Sequence, residues 1–366
     1  MSEQEKYYGI ALNMIPRIGS ISAKTLLSYC GSFENIFKAQ RKALEKIPGI
    51  GDTVVDAIIS FDDYDAVEKE IKYIEKNNIE LQFYISPNFP ARFLQFPDSP
   101  FILYKKGMAN LNHIRTLGIV GTRKPTPYGI EWTRDLVESL QQDDISIISG
   151  YAYGIDIAAH KAAYKSGIPT ICVLAGGLEM IYPSEHLKFV EDICETGAFI
   201  SEHFSAMIPD KKRFPMRNRL IAGLSDGVVV VESASKGGSM ITADIAFGYN
   251  KSVMAVPGSP NATYSRGCNA LIKSSKAALV ETREDILEYM NWDVKRSQMQ
   301  QQTALFRDLT PKETEMIDML RQRKDMGVDE LRLKLQMKSN EFASLLITLD
   351  LDGYICQLPG NRIMLL

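Results

Sequence analysis

The sequence predicts an α/β fold built on an extended parallel sheet, with a helical module before the sheet and a small helix-and-hairpin module after it. Three observations predict this. Between Thr116 and Met290, short apolar runs alternate with helical patterns, as in a parallel sheet covered on both faces. From Glu5 to about Asn77 the pattern is helical and contains a repeated turn. Beyond a glutamine-rich stretch, Thr310 opens a further set of helices that ends in a strand pair. The expected organisation is therefore residues 1–78, 79–290, a linker at 291–309, and 310–366. At 366 residues the chain exceeds what one small core holds.

Composition narrows the class. Apolar residues make up 45% and charged residues 24%, ordinary values that exclude disordered and membrane-spanning classes. The start, MSEQEKYY, lacks a basic segment followed by an apolar one, so a cytoplasmic location is expected, without a membrane partner. Five scattered cysteines without a C-x-x-C pair point to reduced thiols, and neither a metal nor another cofactor is expected. The net charge of −3 gives no global signal for nucleic acid, so any polyanion site has to be a local basic patch.

In the N-terminal module the turns Ile15-Pro16-Arg17-Ile18-Gly19 and Ile47-Pro48-Gly49-Ile50-Gly51 each precede an apolar helix, with their prolines 32 residues apart. Each resembles a helix-hairpin-helix turn, which offers backbone N–H groups at a helix start to a phosphate without reading bases. The second copy fits better than the first, where Arg17 stands for glycine. A role limited to helix packing is equally open, and the acidic flanks Asp52 and Asp56 favour it over direct DNA contact. From Ile79 to Asn112 a proline- and aromatic-rich stretch, strand-like near Gln82–Ile85 and Phe101–Lys105, should lie against the next domain.

In the central region strands are expected at 117–120, 145–149, 170–174, 198–201, 227–231, 252–256 and 278–281. Helices are expected at 127–141, 155–166, 185–196, 217–224, 239–250 and 283–290. This is a Rossmann-like plan, whose ligands are met at the carboxyl ends of the strands. Those ends carry Gly121-Thr122-Arg123, the glycine-bracketed turn Gly150 to Gly154, the basic run Lys211, Lys212, Arg213, Phe214, Arg217, Asn218 and Arg219, and the turn Lys236-Gly237-Gly238-Ser239. Glycines at such turns have a structural reason, but convergent cations do not. A dinucleotide fits badly, because G-T-R-K-P replaces G-x-G-x-x-G, and no P-loop occurs. His160 is expected to be a structural hydrogen-bonder and Asp156 a turn or cap residue. Glu202 and Glu232 could form a carboxylate pair across the cleft.

The set GIVGTRKPTPYG, SGYAYGIDIAAHKAA, TICVLAGGLEMIYPSEH, ISEHF, FPMRNRLIAGLSDGVVVVESASKGGSMITADIAFGYNKSVMAVPGS and SRGCNALIK resembles the DprA/Smf family of DNA-processing proteins, collinearly over roughly residues 80 to 290. The resemblance implies an extended Rossmann fold that binds single-stranded DNA without catalysis, forms a homodimer, and loads a RecA-type recombinase in natural transformation. The family's G-[ST]-R motif falls on Gly121, Thr122 and Arg123, its F-P-x-R-N-R on Phe214, Pro215, Arg217, Asn218 and Arg219, and its G-G-S turn on Gly237, Gly238 and Ser239. Ser274 to Ala277 departs from the family's glycine-alanine. The alternative, a nucleotide-cleaving enzyme of the lysine-decarboxylase-like phosphoribohydrolase type, needs P-G-G-x-G-T-x-x-E; the stretch from Lys236 to Asp244 lacks its proline and its glutamate.

A single strand needs a positive groove for its backbone and ring faces for its bases. Arg123, Lys211, Lys212, Arg213 and Arg217 would supply the first, and Phe214, with Tyr151 and Tyr153, the second. An anchoring role for Phe214 stays open. Of Arg217 and Arg219, one is expected on phosphate and one in an internal ion pair, with Glu232 as a candidate partner. At the C-terminal end, helices at 312–323, 328–335 and 340–351 and strands at Tyr354–Gln357 and Arg362–Leu365 resemble a winged helix. The helix at 340–351 carries no Arg or Lys, which favours a protein-interaction role.

Overall fold

A computed structural model describes residues 1–292, 309–322, 325–351, 354–358 and 362–365. It divides into two compact units, Met1–Asp293 and Val294–Leu366. Most of the expected linker lies outside the described residues.

The first unit opens with six helices, α1 (Glu3–Met14), α2 (Ser20–Cys30), α3 (Phe33–Lys38), α4 (Arg41–Leu44), α5 (Asp52–Ile59) and α6 (Tyr64–Lys76). The repeated turns before α2 and α5 share one geometry. Ile18 N–H donates to Ile15 O as Ile50 N–H donates to Ile47 O, and Arg17 and Gly49 both sit at positive φ, +71° and +80°. These helices do not form a separate core. Leu12, Leu26, Phe33 and Val67 belong to one apolar cluster with Tyr104, Tyr151, Cys172 and Phe199 of the sheet region.

The sheet has nine strands: β1 (Glu80–Phe83), β2 (Ile102–Gly107), β3 (Arg115–Val120), β4 (Ile145–Ser149), β5 (Thr170–Val173), β6 (Ala198–Ser201), β7 (Gly227–Val230), β8 (Ser252–Ala255) and β9 (Ala278–Leu279). Their order is β1-β2-β6-β5-β4-β3-β7-β8-β9. The seven strands from β6 to β9 run parallel, and the stretch expected to lie against the domain joins it as the antiparallel pair β1-β2 beside β6. Alternation along the strands assigns two buried faces. Val228 and Val230 face Leu220, Ile221 and Ala243, whereas Val229 and Val231 share a cluster with Leu136, Ala159 and Ile286.

The covering helices are α7 (Pro127–Ser139), α8 (Ile155–Lys165), α9 (Val190–Thr196), α10 (Arg213–Leu224), α11 (Gly238–Gly248), α12 (Arg266–Lys273) and α13 (Arg283–Tyr289). Helix α10 starts four residues earlier than the sequence indicates, since Pro215 falls in the first turn, where a missing N–H costs nothing. The chain order moves outward from β3 to β6 on one side and from β7 to β9 on the other. That reversal opens a crevice between β3 and β7 at their carboxyl ends, where open α/β sheets meet ligands.

The second unit contains α14 (Pro311–Gln322), β10 (Asp325–Gly327), α15 (Val328–Lys334), α16 (Ser339–Leu351), β11 (Ile355–Leu358) and β12 (Arg362–Leu365). Thr310 N–H donates to Glu313 Oε2 at the start of α14, as the T-P-K-E pattern requires. The strands form an antiparallel sheet ordered β10-β12-β11, one strand more than the sequence indicates. Its core is Met316, Leu320, Leu331, Phe342, Leu349, Ile355 and Ile363. The turn around Pro359-Gly360-Asn361 lies outside the described residues.

Candidate nucleic-acid interface

The β3–β7 crevice is a cleft of about 370 Å³ whose lining brings together Gly121, Thr122, Arg123, Phe214, Arg217, Asn218, Gly237, Gly238 and Ser239. Five other expected residues do not line it. Lys211, Lys212 and Lys236 are exposed beside it. Arg213 turns a guanidinium N–H to Ile208 O at 2.9 Å. Arg219 is withdrawn into an ion pair with Glu202, both side chains largely buried.

Two turns fix the near wall. Thr122 N–H donates to Glu232 O at 2.6 Å, and Thr122 O accepts from Ile155 N–H at 3.3 Å, tying the β3 turn to both β7 and α8. Gly154 makes that approach feasible: its φ is +83°, and a Cβ there would lie 2.2 Å from Thr122 O. Arg123 is left exposed, with its guanidinium 4.9 Å from the centre of the Phe214 ring. Phe214 is half-buried, with Tyr182 on another side at 6.4 Å. Its ring is thus both an anchor for the first turn of α10 and a surface of the cleft.

Arg217 forms the floor. It is 5% exposed, donates through Nη1 to the carbonyls of Gly150 and Val173, and donates through Nε to Asn218 Oδ1 at 3.2 Å. The guanidinium packs so closely on Gly150 that a Cβ there would meet it at 2.3 Å. Burial lowers its pKa to about 10, against the opposing pull of Asp156. The same burial raises the carboxyl of Asp156, which Arg217 pulls back down. Asp156 is 7% exposed, accepts from Ala152 N–H in the turn before α8, and lines the cleft.

Several expectations are corrected by this geometry. Neither arginine pairs with Glu232, whose carboxylate accepts from Thr126 N–H and Thr126 Oγ1 at the start of α7. Because Glu202 is held by Arg219, the two glutamates do not form a pair across the cleft. Tyr151 offers no ring to a base: it is fully buried and donates its hydroxyl to His186 O at 2.7 Å. Tyr153 stays at the surface and donates to Glu185 Oε2 at 2.7 Å. His160 is the structural group expected, fully buried, with Nδ1 2.7 Å from Thr170 Oγ1 and a pKa lowered by burial to about 3.

Residue-type reasoning missed Tyr264, Ile241 and Thr242, which also line the cleft. Tyr264 arrives from the loop before α12, and its carbonyl accepts from Ser233 N–H at 2.6 Å. Nothing in the loop's composition marks it, because its placement depends on how that loop folds back over β7. Around the opening stand the first turns of α8, α10 and α11, whose helix dipoles present their positive ends there. The arrangement is suited to a flexible anion with planar apolar parts: one exposed cation, helix starts and ring faces. Among the described residues no cluster of His, Cys, Asp and Glu could hold a metal ion, and no helix is long and apolar enough to cross a membrane.

Comparison with known proteins adds the following. The profile of the family DNA recombination-mediator protein A matches residues 80–291, and that of the helix-hairpin-helix motif matches residues 10–71. Protein Smf of Escherichia coli is 32% identical over 82% of this chain and 81% of its own length. DNA processing protein DprA of Bacillus subtilis is 41% identical over 56% of this chain and 68% of its own. Among solved structures, DNA processing protein A from Streptococcus pneumoniae aligns with a TM-score of 0.67 and 28% identity, covering 77% of this chain and 97% of that one. DNA processing protein A from Helicobacter pylori, solved for its single-stranded DNA binding mode, aligns with a TM-score of 0.54 and 31% identity over 59% of this chain and 98% of that one.

Proposed function

The chain belongs to the DNA recombination-mediator protein A family, the DprA/Smf proteins, and from that premise we propose that its β3–β7 cleft binds single-stranded DNA without reading sequence. The observation that carries the proposal is the pairing of exposed Arg123 with the Phe214 ring at the lip of a cleft ringed by helix starts. Arg123 meets a phosphate, and Phe214 and Tyr264 offer faces to bases, each stacked base contributing roughly 1–3 kcal/mol. Lys211, Lys212 and Lys236 add diffuse attraction from the rim. Arg217, Asn218, Gly121, Thr122, Gly237, Gly238 and Ser239 shape the site, with Arg217 acting from beneath.

The protein holds the strand without cleaving it, protects incoming DNA and hands it to a RecA-type recombinase in natural transformation, acting as a homodimer in the cytoplasm. The second unit is a winged helix serving protein contacts, and residues 1–78, 79–290 and 310–366 are its functional divisions. Against the nucleotide-cleaving alternative, Glu202 and Glu232 are each held by another group.

Fluorescence anisotropy with labelled oligothymidylate and with mixed-sequence strands tests the site. Arg123→Ala should weaken both alike, because phosphate contacts carry no base information. Unchanged binding, or a loss confined to one sequence, removes Arg123 from this role. Release of a free base from AMP by the purified protein would overturn the non-catalytic reading.

A further inference from the structure

The basic lip at Arg123 borders more than the cleft. On its far side a second groove of about 510 Å³ opens between α7 and α8, and Arg123 and Tyr153 line its mouth. The groove is apolar at Ile157 and Ala158 and carries Lys161 and Lys165 on α8. These lysines are one helical turn apart on one face, about 6 Å along the axis, a step that successive phosphates of an extended strand can follow.

The charge on the two walls differs. On α7, Arg134 is neutralised by Asp135 at 2.8 Å and Glu131 at 3.7 Å, and Glu138 adds a carboxylate. On the α8 side cations crowd one another: Lys161 Nζ of α8 and Lys188 Nζ of the segment before α9 lie 4.4 Å and 5.2 Å from the centre of the same Phe189 ring. Burial, with Lys188 and Lys165 nearby, lowers the pKa of Lys161. Tyr153, which lines the groove, donates its hydroxyl to Glu185.

We propose that the α8 wall is a second phosphate track, on which a DNA strand leaving the cleft passes Arg123 and lays its backbone along Lys161 and Lys165. The inference rests on the cleft holding single-stranded DNA and adds the direction in which the strand leaves. Continuity through Arg123 and the cationic wall select a nucleic-acid strand over an apolar helix as the occupant.

Binding of the full chain to two oligothymidylates separates the claims, one of about six nucleotides that fills the cleft alone and one of about twenty that also reaches the groove. Lys161→Ala/Lys165→Ala should leave the short strand unaffected and weaken the long one several-fold. The salt slope for the long strand should become shallower by about 1.4, since each phosphate contact on a single strand contributes about 0.7. Equal binding of the long strand by the double variant and the parent would overturn the track while the cleft stands. So would a double variant whose only change is in its sedimentation, which would make the groove an interface between copies. Failure of the parent protein to bind either strand would overturn the cleft reading itself. Circular dichroism and urea melts confirm that the variant is folded.

Discussion

Arg217 and Arg123 differ in where their charge is met. Arg217 is surrounded by carbonyls and Asp156 inside the protein, whereas Arg123 is exposed and, among the described residues, packs against the Phe214 ring. Removing Arg217 leaves a buried carboxyl without its cation and the Gly150 and Val173 carbonyls without their donor, so Arg217→Met should cost about 3–5 kcal/mol in a urea melt. Arg123→Ala should change stability by less than about 0.5 kcal/mol while weakening DNA binding. The F-P-x-R-N-R run marks both Arg217 and Arg219 as basic residues beside the cleft. It could not show that both turn inward, because their partners, in the turn after β4, on β5 and in the turn after β6, are distant in sequence. His160 gives a pH test. Its folded pKa is about 3 against an unfolded value near 6.5, so between those limits the unfolded chain binds a proton that the native protein does not. Stability from this group is complete above pH 6.5 and is lost as pH falls, by roughly 2 kcal/mol at pH 5. Asp156, raised by burial, contributes in the opposite sense. His160→Gln should therefore flatten the acid side of the stability profile, and an unchanged profile would remove His160 as its source.

Elements were legible where a period or a cap repeats locally. The parallel strands read directly because β-branched runs such as Val228 to Val231 alternate between two buried faces. The start of α10 was misplaced because Pro215 looks like a boundary until its position in the first turn is known. Helix α12 was not marked, and its eight residues pack Cys268 and Leu271 against the sheet. The duplicated turns were legible in spacing, and their common geometry exposes a cost: Arg17 occupies at φ +71° the left-handed position that Gly49 fills in the second copy. Arg17→Gly should stabilise the fold by about 0.5–1 kcal/mol, the part of the left-handed penalty left after the greater freedom of unfolded glycine. A thermal melt that moves down instead would show that the Arg17 side chain contributes more than its backbone costs.

At the scale of the whole molecule, the first unit is continuous through its core, with the N-terminal helices and the sheet sharing buried residues. Polar contacts reinforce that continuity close to the cleft. Asn13 Nδ2 donates to Glu202 O at 3.1 Å, and Glu70 Oε1 accepts from Ser205 N–H at 2.8 Å, holding the segment that leads to the basic run. Residues 1–78 were separable by pattern in the sequence, but the cluster joining them to the sheet depends on contacts far apart in the chain. The second unit has its own core, so deleting 310–366 should leave single-strand binding within about twofold, a difference of about 0.4 kcal/mol. A larger loss would assign DNA contact to that unit. The central claim is tested most directly by measuring affinity for oligothymidylate and for duplex of equal length across a salt series. The account predicts tighter binding of the single strand, with log affinity falling linearly as log salt rises. Equal affinity for the two forms, or affinity that salt leaves unchanged, would contradict it.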